Sequence, residues 1–186
     1  MEAEKQSLMD ITQNAAGLLA MVGLLKIPQI HRTLPAIYVI STFRFYFFIL
    51  MVEAGYRFHL CKFGIRAPVC FNQPWKSETI SEFWGQRWNL AIAQQLRNIF
   101  FKPLAEAGHR RIGELSVFLA SSCLHMIPIV SLEGSRKSVV STALFFILQP
   151  LIISMEKQFQ LKGPLWVHAA FWSTAPLFVL PLYEVI

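Results

Sequence analysis

The chain has 186 residues, of which 54% are hydrophobic and only 15% charged, with a mean hydropathy of +0.45. Soluble domains run nearer a quarter charged, so this composition reads as a membrane protein. Sixteen Phe and five Trp among so few charges exclude a disordered tail, a coiled coil and a repeat array. Three cysteines, Cys61, Cys70 and Cys123, are too few and too unevenly spaced for a disulfide framework or a zinc site. The net charge of +6 does not point to nucleic acid, because the basic residues form no run longer than the pairs Arg110-Arg111 and Arg136-Lys137.

Taken in chain order, the first apolar stretch, Ala15 to Leu25, follows Glu2, Glu4 and Asp10. A secretory signal wants a basic start, so this stretch is expected to be an interfacial, re-entrant or core helix ending near Pro28. Residues 1–33 form an amino-terminal segment around it, and 34–186 the main membrane domain. Four later stretches reach the length a bilayer core requires, about 20 helical residues. They are Leu34 to Val52, with Arg44 inside it; Leu115 to Leu132, with His125; Ser138 to Met155, interrupted by Gln149-Pro150; and Pro164 to Val185, with His168, Pro176 and Pro181. Proline inside spans favours a bundle, where neighbouring helices re-satisfy the freed carbonyls. The predicted class is all-α: a polytopic helical membrane bundle of about four transmembrane helices plus an interfacial amphipathic helix.

Between the first and second spans, Glu53 to Glu114 holds nine basic residues. By the positive-inside rule this segment should face the cytosol. Within it, Thr79 followed by Glu82 is a capping-box signature, which predicts a helix running from there to Phe101. Ile80, Phe83, Trp84, Trp88, Ile92, Leu96 and Ile99 would make one apolar stripe, and Glu82, Gln86, Asn89, Ala93 and Arg97 the opposite face. Such a helix suits the membrane interface, where indole rings prefer to sit.

The order of motifs from Phe71 to Pro128 carries more. It contains Phe83-Trp84-Gly85-Gln86-Arg87-Trp88-Asn89, then Arg97, Phe101-Lys102-Pro103, and Phe118-Leu119-Ala120-Ser121-Ser122-Cys123-Leu124-His125. In this order and spacing it resembles the wax synthase-like branch of the membrane-bound O-acyltransferase family, specifically that family's carboxy-terminal half. Gln86 stands where Arg is usual in the family phrase, Ser122 where Gly is usual, and Met126 where plant relatives often have Glu.

The resemblance implies transfer of a fatty acyl group from acyl-CoA, a co-substrate, to the hydroxyl of a lipophilic alcohol, with no cofactor and no metal. It implies His125 and Asn89 as the catalytic pair, and Trp84, Arg87, Trp88 and Arg97 as substrate-binding candidates, although the residues themselves read Trp84 and Trp88 as interfacial anchors ahead of substrate contacts. The implied partners are the lipid bilayer, acyl-CoA and a long-chain alcohol, sterol or terpenoid acceptor, and the implied location is a multi-pass protein of the endoplasmic reticulum. The residue types suit the chemistry: a hydroxyl is a poor nucleophile near neutral pH, and a neutral imidazole within reach can take its proton. His125 would lie about ten residues into its span, roughly 15 Å deep at 1.5 Å per residue, where an ionisable group is costly.

Other candidates have two readings. His168 fits packing or an interface. Arg44 fits a structural pairing with Glu53 or a carbonyl, or a contact to donor phosphate. His109-Arg110-Arg111 fits phosphate binding or positive-inside flanking. The only Asp is Asp10, which excludes a Ser-His-Asp triad, and no phosphate-cradling glycine loop is present. The competing functional class is a polytopic scaffold or small transporter without catalysis.

Overall fold

The computed structural model describes residues 2–30, 33–65 and 67–185, the side chains of Leu34 and of residues 182–185 excepted. Arg66, counted above in the charge bias, lies outside the described residues. The chain is helical, with no strand among the described residues, and divides into two compact units, Met1–Val69 and Cys70–Ile186.

The first unit is an antiparallel pair, α1 (Glu2–Leu25) and α2 (Leu34–Lys62). Both are longer than the sequence predicted. Helix α1 begins at Glu2 instead of near Ala15, and α2 continues ten residues past Val52, so Glu53 to Lys62 is helix and no longer part of the polar loop. Arg57 explains how these charges are accommodated. Its Nη2 reaches Asp10 Oδ2 at 2.7 Å and its Nε reaches Glu53 Oε1 at 2.9 Å, so one guanidinium serves both helices. Glu53, the partner considered for Arg44, is thus engaged by Arg57. Gly17 lets α1 approach closely, since a Cβ there would stand 2.8 Å from the Phe47 ring.

The second unit starts with broken helices and ends with three long ones. Helix α3 (Ile80–Glu82) runs into a π-helical turn, Phe83–Arg87; α4 (Leu90–Leu96) runs into a second, Arg97–Phe101, and on into α5 (Lys102–Glu106). Then come α6 (Arg110–Ser131), α7 (Arg136–Phe159) and α8 (Pro164–Val185). The predicted N-terminus is correct: the Thr79 hydroxyl accepts from Glu82 N at 3.0 Å, and the Glu82 carboxylate accepts from Glu78 N at 2.8 Å. The predicted continuous helix to Phe101 is not formed. It breaks at Trp88, which is extended, and Asn89, which is left-handed at φ 44°. The apolar stripe ends with it: Ile80, Phe83 and Leu96 are buried, but Ile92 and Ile99 are exposed. Two backbone hydrogen bonds hold the break, Asn72 N to Arg87 O at 2.9 Å and Leu90 N to Cys70 O at 2.8 Å.

Four described helices are long and apolar enough to cross a membrane: Glu2–Leu25, Pro35–Lys62, Arg110–Ser131 and Arg136–Phe159. The number agrees with expectation, but α1 joins the set. Helix α8 forms where predicted and packs on α7, though it is not one of the four.

Ile80, Phe83, Phe118, Phe145, Phe146, Ile153, Val167 and Ala170 make the core of the second unit, joining α3 and its π turn to α6, α7 and α8. The ends are tied by backbone. Gly163, at φ 106° in the α7–α8 connection, donates its N–H to Glu78 O at 2.8 Å. Gly113 on α6 lies against the second π turn, where a Cβ would stand 3.0 Å from Phe101 O. The sharpest tie is the buried carboxylate of Glu156. It accepts from Ile80 N at 2.5 Å, from Ser81 N at 3.4 Å and from Trp166 Nε1 at 2.9 Å, linking α7 to α3 and α8.

Leaving a buried donor unsatisfied costs about 1–3 kcal/mol. Glu156→Leu should therefore lower the thermal unfolding midpoint in detergent markedly, while Glu156→Gln, which keeps an acceptor oxygen, should recover most of the loss. Equal midpoints for Glu156→Leu and wild type would contradict this account of the tie.

Candidate active site

His125 lies on α6 in a slot made by aromatic rings. Phe146 of α7 tilts over it at 4.8 Å between centroids, and Phe178 of α8 meets it edge-on at 5.2 Å. Its Nδ1 lies 2.8 Å from the carbonyl of Ser121, one turn back. A carbonyl only accepts, so Nδ1 carries the hydrogen and the neutral ring keeps its lone pair on Nε2. Nε2 has no hydrogen-bond partner among the described residues. A pinned ring with a free basic nitrogen is the form a general base requires.

The motif segment meets this slot through its aromatic residues. Trp88 stacks on Phe83 at 5.4 Å and 17°, and the edge of Phe71 meets it at 5.1 Å. Trp84 points the other way, edge-on to Phe118 of α6 at 6.1 Å and to Phe145 of α7 at 6.0 Å, with its Nε1 donating to Gln149 Oε1 at 3.0 Å. Phe145 stacks on Phe178, which completes a run of rings from Trp84 to His125.

Asn89, half-buried, follows Trp88 directly and precedes the first turn of α4. Its carboxamide makes no hydrogen bond among the described residues and does not cap the helix. No hydrogen bond joins it to His125 among the described residues; its chain neighbour Trp88 meets Trp84, the first ring of that run, edge-on at 6.3 Å. The left-handed backbone is itself a reason for Asn, one of the few non-glycine residues that adopt it readily.

Arg87 pairs with Glu82, its Nη2 2.6 Å from Oε1, and braces the motif from outside, while Gln86 is exposed. Arg97 is exposed, its guanidinium over the Phe101 ring at 5.1 Å; Arg110 lies over the same ring at 5.6 Å. The predicted residues thus fall into two groups. Trp84 and Trp88 join the aromatic framework of His125, whereas Arg87 and Arg97 face outward. Sequence reasoning missed Gln149, Glu156, Phe146 and Phe178. Gln149 was visible only as an interruption of an apolar span, although a polar residue at that depth is itself a signal. Of the described residues, no group of three His, Cys, Asp or Glu could hold a metal.

Four described helices long and apolar enough to cross a membrane define a multi-pass membrane protein, with His125 held in an aromatic slot on one of them. Residues 67–148 match the model of the membrane bound O-acyl transferase family. The chain is 24% identical over 152 residues to the long-chain-alcohol O-fatty-acyltransferase of Simmondsia chinensis, covering 76% of this chain and 43% of that protein. It is 29% identical over 94 residues to the probable long-chain-alcohol O-fatty-acyltransferase 9 of Arabidopsis thaliana, covering 46% and 27%. A 56-residue match at 36% identity to the peptidoglycan O-acetyltransferase of Helicobacter pylori covers 30% of this chain and 10% of that protein. The chain spans well under two thirds of the length of these relatives. No solved structure matches it.

The bracing of the motif depends on pH. The hydrogen bond from Glu78 N, with the help of Arg87, holds the Glu82 carboxyl below its ordinary 4.5. A depressed folded pKa contributes stability that is complete above the ordinary value and disappears as pH falls through the folded one. The stability gap between wild type and Glu82→Gln should be full at neutral pH and narrow only below the ordinary carboxylate range. A gap that stays constant into strong acid would show that the ionised carboxylate contributes nothing.

Proposed function

We propose that this protein is an acyltransferase that moves a fatty acyl group from acyl-CoA to the hydroxyl of a lipophilic alcohol, giving an ester. The supporting observation is His125, its Nδ1 spent on Ser121 O and its Nε2 without a hydrogen-bond partner among the described residues. In this reading Nε2 takes the proton of the acceptor hydroxyl as the oxygen attacks the thioester carbonyl. The carbon–sulfur bond then breaks, and the imidazolium returns the proton to the leaving thiolate. Asn89 orients the thioester or the alcohol, or donates to the developing oxyanion through an amide that makes no hydrogen bond among the described residues. Trp84 and Trp88 shape the acyl-facing wall, and Arg87 and Arg97 lie toward the polar side where coenzyme phosphates would approach. A long-chain alcohol is the acceptor tried first, since the plant relatives are named for it; sterols and terpenoid alcohols follow. The endoplasmic reticulum membrane, with the motif on its cytosolic face, is the proposed location.

Membranes containing the protein, incubated with labelled acyl-CoA and a panel of alcohols, should yield labelled ester. His125→Ala should reduce turnover on the order of a hundred-fold or more, the usual size of a general-base contribution, with membrane abundance unchanged. Asn89→Gly separates chemistry from backbone: glycine suits the left-handed turn but supplies no amide. Loss of turnover in Asn89→Gly, with an unchanged unfolding midpoint, is expected. Full activity in both variants would overturn the roles given to His125 and Asn89, and absence of ester synthesis by the wild type would leave a non-catalytic scaffold as the better description.

A further inference from the structure

Along α7, Thr142, Gln149 and Glu156 are all buried, at intervals of seven residues. Seven residues is close to two helical turns, so the three lie on one face of an otherwise apolar helix. Gln149 uses both ends of its carboxamide. Oε1 accepts from Trp84 Nε1 at 3.0 Å; Nε2 donates to the Phe145 carbonyl at 3.1 Å and to Thr174 Oγ1 of α8 at 3.4 Å. An apolar side chain of the same size would leave a partly buried indole N–H without an acceptor.

The indole so held is the first ring in the run toward His125. Trp84 lies edge-on to Phe145 at 74°, Phe145 stacks on Phe178 at 29°, and Phe178 meets the imidazole at 73°. Close-packed rings transmit displacement because they have no free volume to absorb it. No hydrogen bond joins Gln149 to His125 among the described residues. Its influence runs through Trp84 and the two phenylalanines.

We infer that Gln149 is a positioning residue of the acyl-transfer site: by fixing the Trp84 indole against α7, it sets the ring stack that orients the His125 imidazole. The inference rests on the proposed role of His125 as the base. Misplacement of a reacting group by about 1 Å can cost a hundred-fold in rate. An effect confined to orientation should appear in kcat and leave KM for both substrates nearly unchanged.

The test uses the full chain in lipid nanodiscs, with acyl-CoA and the alcohol that the wild type accepts. Gln149→Leu should lower kcat by about ten-fold or more at constant KM. Gln149→Glu, which keeps an acceptor for the indole N–H, should restore most of it. Trp84→Phe should lose a similar factor, and Trp84→Phe combined with Gln149→Leu should lose no more than the larger single loss, because the two act as a unit. If Gln149→Leu does not accumulate as folded protein, Trp84→Phe and Gln149→Glu still decide. Wild-type kcat in Trp84→Phe, no rescue by Gln149→Glu, independent and additive losses, or a change in KM alone would each overturn the inference while wild-type ester synthesis upheld the acyltransferase. Absence of ester synthesis by wild type would remove the acyltransferase and this role with it.

Discussion

The arrangement of the second unit depends on one buried carboxylate. Glu156 sits near the end of α7 and receives the backbone N–H groups of Ile80 and Ser81 together with the indole N–H of Trp166. These three donors come from two elements that share no covalent neighbour with α7. Helix α3 has three residues before its π turn and cannot persist by itself, since a single helical turn fixes many dihedrals for few hydrogen bonds. Its first N–H groups would normally face water; here they face an acceptor buried at 4% exposure. The carboxylate therefore fixes where the motif segment begins, and the direction of that segment fixes where Trp84 points.

From that anchor the site follows by packing. Phe83 fills the core and carries Trp88 stacked on it, while Trp84 turns toward α6 and α7. Phe145 and Phe146, adjacent on α7, divide the work: the first receives Trp84, the second covers His125. The apolar slot leaves one ring nitrogen of the histidine without a hydrogen bond among the described residues, because the bond it makes runs to its own helix at Nδ1. A polar neighbour at Nε2 would have fixed the ring equally well but occupied the lone pair.

Much of this was legible in the sequence, and the failures share a cause. Long apolar stretches gave the helices of the second unit close to their observed bounds, and the Thr79–Glu82 capping box gave the start of α3, because both signals are local. Helix α1 was underestimated because only the apolar stretch Ala15 to Leu25 was counted and the acidic residues before it were left out, whereas Asp10 is paired across to Arg57, 47 residues away. Gln149 read as an interruption of an apolar span, and Glu156 fell just outside that span, for the same reason. Their partners, Trp84, Thr174, Ile80 and Trp166, lie on other elements, and no local period contains them. The catalytic candidates were found by motif, but their geometric relation was not, since it passes through phenylalanines that periodicity treats as interchangeable core.

The broken stripe from Thr79 to Phe101 shows why an α-helical period could not place the motif. A residue in an α-helix lies over the one three or four positions on. In the π-helical turn Phe83–Arg87, the Trp88 N–H instead reaches Phe83 O, five residues back, at 2.9 Å, and the Phe83 and Trp88 rings stack. The wider turn and the break at Trp88 and Asn89 end the stripe, so that downstream Leu96 is buried while Ile92 and Ile99 face outward. It also separates Trp84 from Trp88: their rings meet edge-on at 6.3 Å, and only Trp84 reaches Gln149. A regular helix through this sequence would have presented both indoles on one face toward the same neighbour. The π turn sends one to α7 and leaves the other beside Phe71 and Asn89. The irregular geometry that defeats the sequence pattern is thus the geometry that connects the motif to the histidine.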